Sequence, residues 1–153
     1  MKLISSLFAI SLATVLGAGI QSASAQTSAT VQLNPGSESF VYHDDFDVLG
    51  LDFTLTSTAG DSLKALVLAN QGSARPGFEY THVTLWADTG MAGFQGWGYD
   101  VVLGEAVSVN GMWAFSNFSY TFTQPTQRFF VSIETTNSPD EKITQFYLLN
   151  GGE

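Results

Sequence analysis

An antiparallel β-sandwich of about seven to nine strands is the fold class this sequence predicts. Three observations carry the prediction. Several segments alternate apolar and polar residues with period two, the signature of strands that bury one face. Turn-forming residues punctuate those segments at short intervals: Asn34-Pro35-Gly36, Ala59-Gly60-Asp61, Pro76-Gly77, Asn110-Gly111 and Asn137-Ser138-Pro139-Asp140. After residue 25 no amphipathic helix of ordinary length is legible.

The segments justify themselves in order. Residues 48–56 (VLGLDFTLT) place Leu49, Leu51, Phe53 and Leu55 on one face and Asp52, Thr54 and Thr56 on the other. Residues 63–69 are apolar on both faces apart from Lys64, and the turn chemistry of Asn70-Gln71-Gly72 favours a strand over a helix there. Residues 81–88 put Val83, Leu85 and Ala87 inward, with His82, Thr84 and Trp86 opposite. Asn110-Gly111 joins Val107-Ser108-Val109 to Met112-Trp113-Ala114 as a two-residue hairpin, because Asn-Gly readily adopts positive φ. Phe118, Tyr120 and Phe122 alternate with Ser119, Thr121 and Thr123. In residues 128–134, Phe129, Val131 and Ile133 point inward, and Phe130 breaks the pattern. Residues 143–149 are apolar on both faces and read as a central strand or a short helix.

The N-terminal stretch is an export signal. Lys2 supplies a positive start, residues 3–20 are apolar or small, and Ala23-Ser24-Ala25 is an A-x-A cleavage site with Gln26 following. The domain organisation expected is therefore a signal peptide at 1–25, a loose polar arm at 26–38 and a β-sandwich at 39–150. Within the arm, residues 30–33 have the pattern of a short strand. The protein is expected to be secreted or otherwise extracytoplasmic, in a periplasm or at a cell surface, with no membrane span in the mature chain. The leader suits a bacterial export substrate.

Composition excludes several functions. The chain has 153 residues, 14 acidic and 5 basic side chains and a net charge of -9, which argues against nucleic acid as partner. Without cysteine it has no disulfide, thiolate metal site or cysteine nucleophile. Gly60-Asp61-Ser62-Leu63 spells the nucleophile block of GDSL hydrolases, but that family places Asp-x-x-His near its C-terminus, and neither His43 nor His82 fits. Ser62 reads as the first residue of a strand. His43-Asp44-Asp45 reads as a surface turn. No nucleophile, acid–base pair or metal spacing stands out, so an enzyme is not expected.

A resemblance points the same way. Residues 63–73 (LKALVLANQGS) and 81–88 (THVTLWAD) resemble the bacterial cell-surface Ig-like modules of the CARDB-like adhesive type, in which a strand ends in an N-x-G turn and a later strand carries v-x-l-w/y-x-D. The resemblance implies an Ig-like sandwich serving as an extracellular interaction or spacer module, without catalytic residues.

Candidate binding residues lie in the glycine–aromatic stretch 91–100 (MAGFQGWGYD). Phe94, Gln95, Trp97, Tyr99 and Asp100 form either a carbohydrate site, with Trp97 and Tyr99 stacking on sugars and Gln95 and Asp100 bonding hydroxyls, or a protein interface. The structural alternative folds Phe94 and Trp97 back to plug one end of the sandwich. No cofactor is required. Calcium is the most reasonable ion, through Asp44, Asp45, Asp47, Asp88 and Asp100, with Asp52 and Glu105 nearby in sequence. The partners expected are a surface glycan, a surface protein or a second copy, the last in a filament that residues 30–33 would join by strand donation.

Overall fold

A computed structural model of the chain describes residues 30–34, 38–41, 46–75, 78–135 and 142–149. The expected signal peptide at 1–25 and start of the arm, His43, Asp44 and Asp45, and the turns expected at 35–37, 76–77 and 137–140 lie outside the described residues.

The described residues form no helix, and twelve strands. One five-stranded sheet runs in the order β1 (Thr30–Leu33), β3 (Val48–Thr56), β11 (Thr126–Thr135), β6 (Tyr80–Ala87) and β7 (Val101–Glu105). A second runs β2 (Glu38–Val41), β12 (Lys142–Leu148), β5 (Leu66–Asn70), β9 (Met112–Phe115) and β8 (Val107–Val109). A two-stranded ribbon pairs β4 (Ser62–Leu63) with β10 (Tyr120–Thr121). Every pairing is antiparallel.

The two large sheets share one core, a sandwich-like arrangement. Leu51, Phe53, Leu55, Val83, Leu85, Phe129, Val131 and Ile133 of the first sheet meet Leu68, Trp113, Phe115 and Phe146 of the second. The eight residues of the first sheet are inward positions that period two assigned. Phe53 stacks on Phe129 with ring centroids 5.5 Å apart, and Tyr120 and Phe122 meet Phe129 edge-on. The ribbon thus carries two aromatics to one margin of the core.

Residues 63–69 are strand, as read, but interrupted: β4 ends at Leu63 and β5 begins at Leu66. Asn70 closes β5. Its Oδ1 accepts from Gly72 N (2.9 Å) and Gln145 N (2.7 Å), and its Nδ2 donates to Ala74 O (2.7 Å). One side chain thereby shapes the turn and fastens it to β12. The hairpin between β8 and β9 has Asn110 at φ 51° and Gly111 at φ 78°, the positive pair that a two-residue turn demands. Of residues 143–149, all but Leu149 are strand rather than helix, within β12.

Three expectations need correction. The strands outnumber the seven to nine expected, because β2 and β7 carry no clear alternation and residues 63–69 divide between β4 and β5. The strand expected over 118–123 contracts to Tyr120–Thr121. Asn117, at φ 64°, turns the chain just ahead of it. Asp52, Trp86 and Phe130 lie on the outer face of the first sheet, as their phase requires, yet each is buried rather than solvated.

The first sheet's outer face explains that burial. The register sets Phe130 opposite both Trp86 and Asp52. Arg128, one pleat along, reaches Asp52 with Nε (2.9 Å to Oδ1) and Nη2, and its guanidinium lies 4.9 Å from the Phe130 ring centre. Asn34, just past β1, donates to the same Asp52 Oδ1 (2.6 Å). A buried carboxylate is tolerable only when so paired. Asp52 therefore ties β1, β3 and β11 together. Trp86 Nε1 donates to Ser132 Oγ (2.9 Å), which satisfies the indole.

Candidate functional site

Between β6 and β7 the chain leaves the sheet edge and folds over that outer face. Phe94 makes the anchoring contact. Its ring meets Trp86 and Phe130, each with centroids 5.5 Å away. Trp97 stands edge-on to Trp86 at 5.3 Å and 85°. The loop therefore lies across a small apolar patch outside the main core. It does not plug an end of the sandwich.

The turn that presents Trp97 is closed by backbone and by one carboxylate. Tyr99 N and Asp100 N both donate to Gly96 O (3.2 and 3.0 Å). Asp100 Oδ2 accepts from Gln95 N (2.8 Å) and Gly96 N (3.1 Å). Gly96 holds φ 70°, a conformation a side chain would strain. Asp100 is only 7% exposed, and its Oδ1 is buried without a hydrogen-bond partner. Through these two bonds Asp100 holds the loop. Gln95 likewise braces the loop, with Nε2 donating to Ala92 O (3.0 Å).

On this base the other two aromatics face solvent. Trp97 is 68% exposed and Tyr99 57%. Tyr99's carbonyl accepts from Thr89 Oγ1 (2.9 Å), which fixes the far side of the loop. Of the five residues expected at the site, Phe94, Gln95 and Asp100 are supports, and Trp97 and Tyr99 are presented.

Beside the loop lies an open groove of about 250 Å³, lined by Asp88, Thr89, Gln124, Thr126, Gln127 and Arg128, with Gly90 at its edge. Strand register creates it. Phe129 pairs with Ala87, so the residues before Phe129 meet those after Ala87. Gln127 Nε2 bridges Asp88 O (2.8 Å) and Arg128 O (2.9 Å). Asp88 Oδ1 accepts from Gly90 N (2.7 Å). Arg128 is held more firmly than usual in its charged form, chiefly by its hydrogen bond to Asp52, with Asp88 and Asp100 adding to the effect.

The acidic residues expected to bind calcium are engaged separately. Asp88 serves Gly90 and Asp100 serves Gln95 and Gly96, while Asp47 accepts from Ser132 Oγ (3.3 Å). Among the described residues no three His, Asp or Glu side chains converge on one point. Asp44 and Asp45 are outside the described residues. Ser62 shares a hydrogen bond with Thr121 Oγ1 (3.3 Å) across the ribbon, and His82 pairs with Glu134 (2.8 Å) across β6 and β11.

The groove residues Gln124, Thr126 and Gln127 were not singled out from sequence. The available signal was the run Thr123-Gln124-Pro125-Thr126-Gln127, a polar turn with amide side chains. Its relevance depends on pairing between β11 and β6, which local pattern does not encode. Among the described residues no helix is long and apolar enough to cross a membrane. Comparison with protein-family models, curated proteins and solved structures finds no match to this chain.

Proposed function

We propose that this chain works outside the cytoplasm as a non-enzymatic interaction module of a cell surface or matrix, and that the 88–100 loop is its contact surface. One observation carries the reading: Trp97 and Tyr99 stand 68% and 57% exposed on a loop whose base, Phe94 and Asp100, is packed and hydrogen-bonded. Solvent exposure of large aromatics costs hydrophobic free energy, and in recognition surfaces such residues supply most of the binding energy. A supported loop also loses little entropy on binding.

The export signal and the resemblance of residues 63–73 and 81–88 to bacterial adhesive modules support the same class. The Ig-like character rests on two antiparallel sheets around one core. Strand order does not add to it: chain neighbours lie side by side only at β6–β7 and β8–β9 among the described strands, whereas the immunoglobulin order has three such pairs.

The test is retention of the fluorescently labelled chain on envelope material from cells that carry its gene. Replacing both Trp97 and Tyr99 by alanine is expected to abolish retention while the fold persists. Undiminished retention would place the contact surface elsewhere.

A further inference from the structure

We propose that the groove between residues 88–90 and 124–128, with Tyr99 beside it, is a subsite for a neutral hexose unit of a glycan. The inference rests on the reading that the 88–100 loop is the contact surface, and it names the ligand class.

The lining decides the chemistry. Asp88, Thr89, Gln124, Thr126, Gln127 and Arg128 offer carboxylate, hydroxyl, amide and guanidinium groups, and the only hydrocarbon surface among them is threonine methyl and side-chain stem. A peptide partner needs apolar pockets for its anchor side chains, which this groove does not offer. The hydroxyls of a sugar ring need what is present, several donors and acceptors close together, and the exposed Tyr99 is tied to this lining through its carbonyl on Thr89. Gln127 has both amide hydrogens' nitrogen committed to Asp88 O and Arg128 O, which leaves Oε1 as an acceptor without a partner among the described residues. Gln124 and Thr126 are exposed, and their side chains bond no described residue. Thr89 links groove to loop, because it lines the groove and holds the Tyr99 carbonyl. The volume of about 250 Å³ is below the range of pockets that enclose drug-sized molecules, and suits one ring with the chain running out along the surface.

Charge selects among sugars. Arg128 is the one cation of the lining, and it is already paired with Asp52. Asp88 is an anion in the lining, Asp100 lies within electrostatic reach of Arg128, and the whole chain carries -9. An acidic sugar would enter a negative field without a free cation to meet it. A neutral polyol has no such penalty.

The experiment is calorimetric titration of residues 26–153 with neutral hexasaccharides of glucose, mannose, galactose and N-acetylglucosamine, and with hexagalacturonate as the acidic probe. At least one neutral probe is expected to bind, with hexagalacturonate at least about tenfold weaker. Gln124→Ala and Thr126→Ala are each expected to weaken binding by roughly three- to tenfold, the effect of one hydrogen bond. Both sites are exposed, so melting temperature should not move. No binding by any neutral probe, preference for hexagalacturonate, or indifference to the two groove variants would overturn the proposal. If no sugar binds yet envelope retention still depends on Trp97 and Tyr99, the ligand class fails and the interaction surface stands. If retention is independent of those aromatics, both fail.

Discussion

Replacing Asp100 by alanine tests how the contact loop is held. The carboxylate accepts two backbone N–H groups, one from Gly96, which is buried, and one from Gln95, which is exposed. A hydrogen bond to a charged group contributes about 1.5–3 kcal/mol, and the full loss applies to Gly96, whose N–H water does not readily reach. Gln95 N can rehydrate, so its loss is about 0.5 kcal/mol. Against this, the substitution removes the buried Oδ1 that has no partner, a relief of about 1 kcal/mol. The net expectation is about 1–2.5 kcal/mol, confined mainly to the loop. Hydrogen exchange is the assay: the amides of Gln95 and Gly96 should exchange roughly 5- to 70-fold faster, while β6 and β11 amides are unchanged. Asp100→Asn keeps one acceptor oxygen and should show a smaller effect. If Gln95 and Gly96 exchange at the native rate in Asp100→Ala, the carboxylate does not hold the loop and the argument for a preorganised surface is wrong.

Three further outcomes are expected. A Cβ at Gly72 would lie 1.9 Å from the Ile143 carbonyl oxygen, so Gly72→Ala must push the 71–74 turn off β12; the cost should be about 3 kcal/mol, read as a fall in melting temperature of about 10 °C. Burial is the main cause that raises Tyr80 from 10.0 to about 12. The folded state then holds the phenol proton more tightly than the unfolded state, so this contribution is complete below pH 10, declines as pH rises and is lost near pH 12, a swing of about 2–3 kcal/mol. Urea midpoints across that window should fall in the native chain, and fall less in Tyr80→Phe. Because Asp47, Asp88 and Asp100 serve separate hydrogen bonds, millimolar calcium should shift the melting temperature by less than about 1 °C; a rise of several degrees would show that the ion binds.

The core was legible because period two is a local signal. Leu51, Phe53, Leu55, Val83, Leu85, Phe129, Val131 and Ile133 were all placed inward from alternation, and all are buried. The same signal gave Trp86, Phe130 and Asp52 the correct face and the wrong environment. Their burial is made by Phe94 over Trp86 and Phe130 and by Arg128 and Asn34 against Asp52, contacts that alternation within one strand does not encode. The contact loop announced itself by its glycines and aromatics, but which rings support and which are presented follows from where Trp86 lies. Asp100 and Gln95 look alike as polar ligands in a sequence; only the turn around Gly96 shows Asp100 buried beneath it and Gln95 bonded to Ala92 at the surface. The groove was invisible because residues 88–90 and 124–128 meet through long-range strand register.

The most direct test of the account compares the double variant Trp97→Ala, Tyr99→Ala with the native chain by thermal unfolding and by envelope retention in parallel. The account predicts a melting temperature lowered by no more than about 4 °C, the cost of Trp97's single edge contact with Trp86, together with loss of retention. Unfolding of the variant at ordinary temperature, or full retention by a folded variant, would contradict it.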